Sequence, residues 1–312
     1  MAKIIVVGSL NVDITAYASR FARDGETVKG DDIKFGPGGK GGNQASAAAR
    51  AGGEVCMISR IGRDVLSGVI TDHYNKEGIS DKYLSRSDSL PTGSAVIEVS
   101  AENGQNKIVV IAGANSELSA EHVREAQEEF KDCDVFLTQL ETGLDPIYEG
   151  INLAKKYQKT VILNPAPLQK LPNDILMNVD YFTPNETEAE FYSGVKIENE
   201  EDASRAAKEI IKLGVKNVVI TLGKRGVYFS NGKESFSVAT KLLKAVDTTG
   251  AGDAFNGGLA VALGEGMDIK DALKFANCAG SLSVTRYGAA TSGAYRSEIK
   301  EMMKDFYGVE IN

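Results

Sequence analysis

Short apolar runs alternate with amphipathic helical patterns through most of the chain. Continuous apolar runs of strand length cover residues 3–9, 55–62, 133–140, 160–166 and 217–223. Helical periodicity between those runs predicts helices over residues 43–52, 64–78, 146–159 and 201–214. Because strands without polar alternation are buried on both faces, the pattern predicts an α/β fold with a mainly parallel central sheet and helices on both faces.

Two segments interrupt this alternation. Residues 12–35 carry an alternating pattern without a helix, and residues 92–112 are typical of a β-hairpin that turns at Asn103 and Gly104. We expect these segments to form a small separate sheet that projects from the main domain. Such a sheet either covers a ligand site as a lid or pairs with a second subunit through its exposed edge.

Composition narrows the range of partners. The 312 residues are 42% hydrophobic and 25% charged, with a formal net charge of −8. This balance disfavours nucleic acid and anionic membranes as partners, although a local pocket can still bind a small anion. No apolar run approaches the ~18 residues that a membrane helix requires, and residues 3–9 are interpreted as a buried strand rather than a signal peptide. The cytoplasm is the simplest compartment.

Cysteine and histidine supply little candidate chemistry. Cys56, Cys133 and Cys278 lie far apart within apolar or small-residue runs, so we interpret them as buried thiols. His73 and His122 fall on polar faces of predicted helices, where we expect solvated positions. The residue types therefore argue against a histidine triad or a histidine-rich metal site. Carboxylates, lysine, backbone dipoles or a bound ion remain.

A glycine-rich turn covers residues 35–45, "FGPGGKGGNQA". It contains GxGxxG, but it follows the first β excursion rather than the first strand, so it is a weak signal for dinucleotide binding. No GxxxxGK[ST] phosphate loop occurs in the sequence. The bare backbone of such a turn lets a ligand approach closely, with Lys40 and Asn43 pointing toward it. The alternative is a tight turn with a surface lysine.

Polar side chains follow the first strand. Asn11 and Asp13 in "GSLNVD" lie two residues apart on one face of an extended segment, where ligands of parallel sheets bind. A carboxamide beside a carboxylate suits the vicinal hydroxyls of a sugar, each accepting from an O–H. An Asx-turn is the alternative. Glu141 in "QLETG" follows another strand at the same edge.

Two further turns complete the predicted edge. "TPNETEAE" places Asn185, Glu186 and Glu188 at the start of a helix, where a helix cap at Asn185 or Thr183 and a dipole partner are the simplest explanations. "VVITLGKRG" ends a strand in a second glycine-bearing turn, residues 221–226.

The stretch "DTTGAGDAFNGG", residues 247–258, carries the strongest candidate chemistry. Gly250, Ala251 and Gly252 precede a helical pattern, and backbone N–H groups at a helix N-terminus bind anions. Asp253 could accept a proton from an attacking hydroxyl while those N–H groups hold a phosphoryl group, which is what phosphoryl transfer requires. A helix cap is the alternative for Asp253.

Taken together, these motifs resemble the ribokinase-like carbohydrate kinases. "GSLNVD", "GPGGKGGNQA", "NPAP", "TPNETEAE", "TLGKRGV" and "DTTGAGDAFNGG" occur in the order typical of that family, over about residues 3–296. The resemblance implies a single Rossmann-type three-layer domain over residues 1–312, with a β-sheet lid formed by about residues 12–36 and 92–112. It also implies ATP-dependent phosphorylation of the 5-hydroxyl of ribose. Magnesium would enter with ATP, potassium would activate, and the lid sheets of two subunits would interleave in a homodimer.

The resemblance also assigns residues to the site. Sugar positions match Asn11, Asp13, Gly39, Lys40, Gly41, Gly42, Asn43, Glu141 and Asp253. Catalytic positions match Asp253 as the base and Gly250, Ala251 and Gly252 as the anion hole. Nucleotide positions match Asn185, Glu188, Thr221, Leu222, Gly223, Lys224, Arg225, Gly226, Gly252 and Asn277. The potassium site matches Asp247, Thr249, Ser283, Arg286, Gly288 and Ser292, several of them through backbone carbonyls.

Alternative functions remain open at this stage. Another pentose, deoxyribose or a nucleoside could be the acceptor, although a nucleoside requires an aromatic base slot and the lid has few aromatics, namely Tyr17, Phe21 and Phe35. A sugar- or nucleotide-binding protein without activity would be expected to lack Asp253 or the glycines before it. A nicotinamide dehydrogenase would carry GxGxxG directly after its first strand.

Overall fold

Strands supply two separate sheets. The computed structural model describes residues 1–102 and 104–311, and Asn103 of the predicted hairpin turn lies outside them. Numbered along the described chain, the strands are β1 (Lys3–Val7), β2 (Asn11–Ala18), β3 (Gly30–Gly38), β4 (Glu54–Ile61), β5 (Ser80–Arg86), β6 (Gly93–Ser100), β7 (Asn106–Ile111), β8 (Val135–Thr138), β9 (Thr160–Leu163), β10 (Tyr181–Phe182), β11 (Asn217–Thr221), β12 (Val227–Ser230) and β13 (Ser235–Val238).

The central sheet, over the described residues, has nine strands in the order β13-β12-β11-β10-β9-β8-β1-β4-β5. Every pair from β5 to β11 is parallel, and only β12 and β13 are antiparallel additions. The predicted, mainly parallel sheet is therefore confirmed. Parallel strands all end at one edge, so the segments after β1, β8 and β11 converge there.

Helices connect the strands and cover both faces. In the described ranges they are α1 (Lys40–Arg50), α2 (Ser67–Glu77), α3 (Ala120–Glu125), α4 (Glu129–Asp132), α5 (Leu144–Lys156), α6 (Asn173–Leu176), α7 (Glu186–Ser193), α8 (Glu200–Lys212), α9 (Ala251–Gly264), α10 (Ile269–Ser283) and α11 (Arg296–Met302). Single turns of 3₁₀-helix cover Gly113–Glu117 and Gly223–Arg225, and a π-helical turn covers Met303–Tyr307. None of the helices in the described part of the chain is both long and apolar enough to cross a membrane.

Alternate residues of the central strands pack into two cores. On β1, Ile4 and Val6 join the core that contains residues of α1, α9 and α10, whereas Ile5 and Val7 join the core that contains residues of α5 and α8. Each of these side chains is almost fully buried, and burying one such aliphatic side chain contributes about 1.5–3 kcal/mol. The sheet is thus the middle layer of three.

The second sheet has four strands among the described residues, in the order β3-β2-β6-β7. Its strand β2 begins at Asn11, shortly after β1 of the central sheet ends at Val7. Asn11 pairs with Gly38 of β3 on one side and with Gly93 of β6 on the other. The predicted small separate sheet is therefore confirmed, and its strands fall at the two predicted β excursions. Its role as a lid stays a prediction.

The expectation for His73 was wrong. Its side chain is buried between α1 and α2, and its Nε2 lies 2.8 Å from Ser46 Oγ. Ser46 Oγ donates to the Gly42 carbonyl, so the imidazole N–H donates to Ser46. Burial lowers the pKa of His73. His122 is half-buried rather than solvated, and its Nδ1 accepts from the backbone of Ser119.

The thiols follow the prediction in part. Cys133 and Cys278 are buried, whereas Cys56 is half-buried.

Candidate active site

The backbone N–H groups at the N-terminus of α1 donate hydrogen bonds to other parts of the protein. Glu141, which follows β8, accepts from the Lys40 backbone N–H at 2.9 Å and from Ser9 Oγ at 2.5 Å. The Gly42 N–H donates to the Ser9 carbonyl at 3.0 Å. These acceptors satisfy the orphan donors of the first helical turn. The glycine-rich turn is therefore divided between the end of β3 at Gly38 and the start of α1 at Lys40, and the first amides of α1 are used within the protein.

Asp253 connects α9 to α1. Its Oδ2 accepts from Asn43 Nδ2 at 2.9 Å and its Oδ1 accepts from Gln44 Nε2 at 3.0 Å. Gly250 is the N-cap of α9 and has a φ of 78°, which favours glycine. Asp253 is the third residue of α9, and its carboxylate accepts hydrogen bonds from two side-chain amides of the neighbouring helix α1. The helix-cap alternative for Asp253 does not describe this geometry.

Three carboxylates surround the position expected for a sugar. Burial, together with the negative charges of Glu141 and Asp253, raises the pKa of Asp13 to about 7. Burial also raises the pKa of Asp253, against the charge of Lys40 and the hydrogen bonds from Gln44 and Asn43. Among the described residues, none of these carboxylates forms an ion pair with a lysine or arginine, which suits a ligand that donates several hydrogen bonds.

The amides of the cluster have fixed orientations. Asn11 Oδ1 accepts from Asn115 Nδ2 at 2.9 Å, so the oxygen of this amide already has one partner within the protein. The expectation that Asn11 and Asp13 both accept from a ligand hydroxyl stays a prediction. Asn43 Oδ1 is buried without a partner in the described residues. A buried orphan acceptor costs roughly 1–3 kcal/mol, so Asn43 is suited to a ligand hydroxyl.

The N-terminus of α9, in contrast with that of α1, is open. The Ala251 N–H donates to the Thr248 carbonyl at 3.3 Å, whereas the N–H groups of Gly252 and Asp253 make no hydrogen bond within the described residues. A β-carbon added at Gly252 would meet no atom within 4 Å. The two free donors and the positive end of the helix dipole suit an anion. The amide of Ala251 thus already has a partner, and the roles of Gly250, Ala251 and Gly252 toward an anion stay predictions.

A cavity of about 390 Å³ lies beside the start of α9. It is lined by Ala251 and by six of the ten predicted nucleotide residues, namely Thr221, Gly223, Lys224, Gly226, Gly252 and Asn277. Its apolar wall includes Leu242, Leu243, Phe255 and Val284. The sequence reasoning missed this wall. The adjacent "TKLLKAVD" carries the signal, since two leucines stand among polar residues just before the "DTTGAGD" turn.

Four predicted nucleotide residues do not line this cavity. Leu222 is buried in the core beside α8. Arg225 pairs with Glu186 and donates to the Glu198 carbonyl. Asn185 is the N-cap of α7 and Glu188 is its reciprocal partner, as the capping alternative predicted. The roles of these residues toward a nucleotide stay predictions.

Asn277, on the cavity wall, is partly engaged. Its Nδ2 donates to the Val238 carbonyl at 3.2 Å, so the amide fixes the end of β13 to α10.

Asp247 holds together the segments of the predicted ion site. Its Oδ1 accepts from the Thr249 N–H at 2.9 Å and its Oδ2 from the Gly288 N–H at 3.1 Å. Ser283 and Ser292 donate their hydroxyl protons to the carbonyls of Gly280 and Ala289. The guanidinium of Arg286 pairs with Glu298, so only its backbone carbonyl could bind a cation. The role of these residues toward a cation stays a prediction.

Several residues of the site were missed from the sequence. Gln44, Ser9 and Asn115 each hold one predicted residue, namely Asp253, Glu141 and Asn11. Ser9 and Gln44 stand inside the quoted motifs, so adjacency was the available signal. Asn115 lies about a hundred positions from Asn11, and nothing in the sequence relates them.

Comparison with known proteins agrees with the fold. The model of the pfkB family carbohydrate kinases matches residues 1–294. The chain is 39% identical over 301 residues to the ribokinase of Haemophilus influenzae, covering 96% of this chain and 98% of that protein. It is 35% identical over 295 residues to the deoxyribokinase of Salmonella typhi, covering 94% and 95%.

The structure of Arabidopsis thaliana ribokinase complexed with ribose and ATP has the same fold. The two structures superpose with a TM-score of 0.92 at 32% identity, covering 97% of this chain and 99% of that one. The implied ribokinase-like fold is confirmed. The chain belongs to the pfkB family of carbohydrate kinases.

Proposed function

We propose that this protein transfers the γ-phosphoryl group of ATP to the 5-hydroxyl of D-ribose, giving ribose 5-phosphate and ADP. One observation carries the proposal. The start of α9 stands between the polar cluster of Asn11, Asp13, Asn43 and Glu141 and the cavity of about 390 Å³ that Gly252 lines. Asp253 therefore faces the cluster, while the open amides of the same helical turn belong to the phosphate side.

The chemistry follows from this placement. The ribose 5-oxygen bonds to the γ-phosphorus, the bond to the β–γ bridging oxygen breaks, and ADP leaves. Asp253 accepts the hydroxyl proton, and the amides of Gly252 and Asp253 donate to the phosphoryl oxygens as the charge shifts. A positioned base contributes roughly 10²–10⁴-fold to such a reaction, and aimed backbone donors contribute further electrostatic stabilisation.

Sugar recognition rests on complementary donors and acceptors. Asn11 offers N–H groups, whereas Asn43 Oδ1 and the carboxylates of Asp13 and Glu141 offer acceptors. A free pentose with several hydroxyls can satisfy these groups together. A site built to bind a hydroxyl discriminates against an analogue that lacks it, because a buried polar group is then left unpaired.

Magnesium and potassium are assigned by the chemistry of the residues. Magnesium, which neutralises phosphate charge, enters with ATP. Glu188 is the carboxylate we assign to its hydration shell, because it is buried and lies near enough to Asp253 and Lys40 for their charges to act on it. Potassium fits the loops that Asp247 joins, and there it would stiffen the segment leading into Gly250.

The four-stranded sheet acts as a lid and as a dimer interface in this proposal. Its edge strand β7 exposes Ile108, Val109 and Val110, with Val109 62% exposed. Contiguous exposed apolar side chains on a strand edge mark an interaction surface. A second copy of this chain covers them by pairing lid on lid. The cytoplasm, where ATP is supplied, is the compartment we assign.

Steady-state turnover with ribose, 2-deoxyribose and adenosine, each with saturating ATP, tests the proposal. We expect kcat/KM for ribose to exceed that for the other two, and NMR of the product to place phosphate on the 5-oxygen. The similarity to a deoxyribokinase makes deoxyribose the second candidate. Equal or higher kcat/KM for deoxyribose would replace ribose by that sugar, and a preference for adenosine would overturn both.

A further inference from the structure

Gln44, on α1, is a fully buried side chain that contacts the carboxylate of Asp253. Its relative exposure is 0%, and its Nε2 donates both to Asp253 Oδ1 at 3.0 Å and to Asn164 Oδ1 at 3.1 Å. Its Oε1 accepts from Gln139 Nε2 at 2.7 Å. Both protons and the oxygen of the amide are therefore used, and the side chain has one orientation that satisfies them all.

A chain of hydrogen bonds continues from Gln44 back to α9. Asn164 Nδ2 donates to the Thr183 carbonyl at 3.0 Å, and Thr183 Oγ1 donates to Asn256 Oδ1 at 2.6 Å. Asn256 Nδ2 then donates to the Gly252 carbonyl at 2.8 Å. The circuit thus includes residues after β9 and β10 and joins the carboxylate of Asp253 to the peptide that precedes it.

The backbones of α1 and α9 make this contact rigid. A β-carbon at Gly257 of α9 would lie only 2.7 Å from the Gln44 carbonyl and from Ala47 Cβ. Such close packing leaves no room for the helices to move toward each other, so the Gln44 side chain reaches Asp253 over a fixed separation.

We propose that Gln44 is a positioning residue that holds the Asp253 carboxylate, ionised and in one rotamer, at the reacting hydroxyl. Asn43 shares the carboxylate but lines the sugar cluster, whereas Gln44 contacts it from within the core. This inference rests on the proposed role of Asp253 as the base. Fixing the base within a fraction of an ångström is what an optimised site requires, because small misplacements reduce turnover strongly.

The charges around Asp253 set the expected pH dependence. Glu141 and Asp13 repel its charge, Glu188 on α7 adds to the negative field, and Lys40 on α1 opposes them. The hydrogen bond from Gln44 lowers the pKa of Asp253. Its loss therefore raises that pKa, and the acid limb of kcat moves to higher pH because only the ionised carboxylate accepts a proton.

The test compares Gln44→Met, Gln44→Glu and Gln139→Met in the full-length protein. Methionine keeps the volume of Gln44 and removes its donors, and glutamate keeps the shape and adds a negative charge beside Asp253. Gln139→Met is the matched control, since it cuts the same network one bond away from Asp253. Each variant is assayed for kcat and sugar KM across pH, for melting temperature and for ADP binding by calorimetry.

We expect Gln44→Met to lower kcat on the order of 10- to 100-fold, the worth of one hydrogen bond to a charged acceptor. Its acid limb should move up by about 1 pH unit, with KM for the sugar changed by less than about threefold. Gln44→Glu should move the limb further, because two neighbouring carboxylates share a proton. Gln139→Met should leave the limb where it is in the unmodified protein.

Two outcomes overturn the inference. One is a Gln44→Met protein with an unmoved acid limb and kcat within about threefold of the unmodified protein. The other is an equal limb shift in Gln139→Met, which would assign the effect to the network as a whole. If Gln44→Met does not fold, the acid limb of kcat in Gln44→Glu is the test, and an unmoved limb in that variant overturns the inference. Retained turnover in Asp253→Asn would instead overturn the proposed base, whatever the Gln44 variants do.

Discussion

Single residues of the site show how burial changes the role of a common side chain. Asp13, Glu141 and Asp253 would repel one another in any empty pocket, yet the fold brings them together without an ion pair to any lysine or arginine that the structure describes. This arrangement lowers the stability of the sugar-free protein, and a ligand with several hydroxyls would satisfy the carboxylates. The largest penalty falls on ionised Asp13, whose pKa is raised to about 7.

Asp13→Asn should stabilise the sugar-free protein at neutral to alkaline pH while weakening sugar binding. Between its unfolded pKa of 3.8 and its folded pKa of about 7, Asp13 binds a proton more tightly in the folded state. The free energy of unfolding therefore falls as pH rises through that window, and Asn removes this loss. Melting temperatures at pH 5 and pH 8 measure it, with each kcal/mol worth roughly 2–4 °C.

The control for this prediction is Asp31→Asn, on the exposed face of β3. Its melting temperature relative to the unmodified protein should not change between the two pH values. If Asp13→Asn melts below the unmodified protein at pH 8, then burial and the nearby carboxylates do not make the ionised Asp13 destabilising.

How much of the site a sequence can predict depends on where its contacts come from. The approach of Asn43 to Asp253 follows from two glycine motifs at one sheet edge, and it was predicted as a common site. The orientation of Asn11 was not, because it depends on Asn115, which reaches β2 from the segment after β7. His73 was placed in solvent because its neighbours are polar, but Ser46 on α1 supplies the buried partner that allows it inside.

At the scale of elements, the two glycine-rich helix N-termini differ in whether their backbone amides have partners. The start of α1 is closed by Ser9 and Glu141, and that of α9 keeps two amides open. The sequence placed the first helix at residues 43–52, but it begins at Lys40 because these external acceptors make the glycine turn helical. In the same way α2 begins at Ser67 rather than residue 64, since Asp64 is held by Thr92.

Gly93→Ala should damage the junction between the two sheets. A β-carbon there would overlap Asn115 Nδ2 and Asn11 Oδ1, the pair that orients Asn11. Overpacking of this kind costs typically 1–3 kcal/mol, and displacement of Asn11 should raise the sugar KM. Urea unfolding and sugar kinetics measure the two effects. Gly36→Ala on β3, where a β-carbon meets no atom within 4 Å, is the control and should change neither; equal effects in both would refute the steric argument.

Asp247→Ala should abolish the response of the protein to potassium. Without the carboxylate, the segments around Thr249 and Gly288 lose their common acceptor. In the unmodified protein, potassium should raise both the melting temperature and kcat relative to tetramethylammonium at equal ionic strength, by mass action on the folded state. Asp268→Ala, which removes the N-cap of α10, controls for lost stability and should keep the response. Identical melting in both cations for the unmodified protein would rule out the ion site.

At the scale of the whole molecule, the central sheet lies buried between two layers of helices, whereas the four-stranded sheet exposes apolar side chains on its edge strand β7. The central strands could be predicted from their apolar runs, because burial on both faces leaves a plain signal. The strands β5, β12 and β13 were not singled out, since they are short or carry polar residues toward the outer edges of the sheet. The pairing of β2 with β6 in parallel joins segments about eighty residues apart and has no local signal.

Val109→Lys should dissociate the proposed dimer. The side chain lies in the middle of the exposed run on β7, where a charge would be buried in a lid-to-lid interface. Sedimentation equilibrium should give twice the chain mass for the unmodified protein and a single chain for the variant at micromolar concentration. Val65→Lys, at a position 91% exposed outside that sheet, is the matched control and should remain dimeric. A monomeric unmodified protein would contradict the interface.

The most direct measurement of the central claim is the turnover of ribose and ATP by Asp253→Asn beside the unmodified protein. We expect the unmodified protein to form ribose 5-phosphate and the variant to lose roughly 10²–10⁴-fold in kcat. Calorimetry should show that the variant still binds ribose and ATP. Turnover of the variant within about threefold of the unmodified protein, with both ligands bound, would show that Asp253 is not the base.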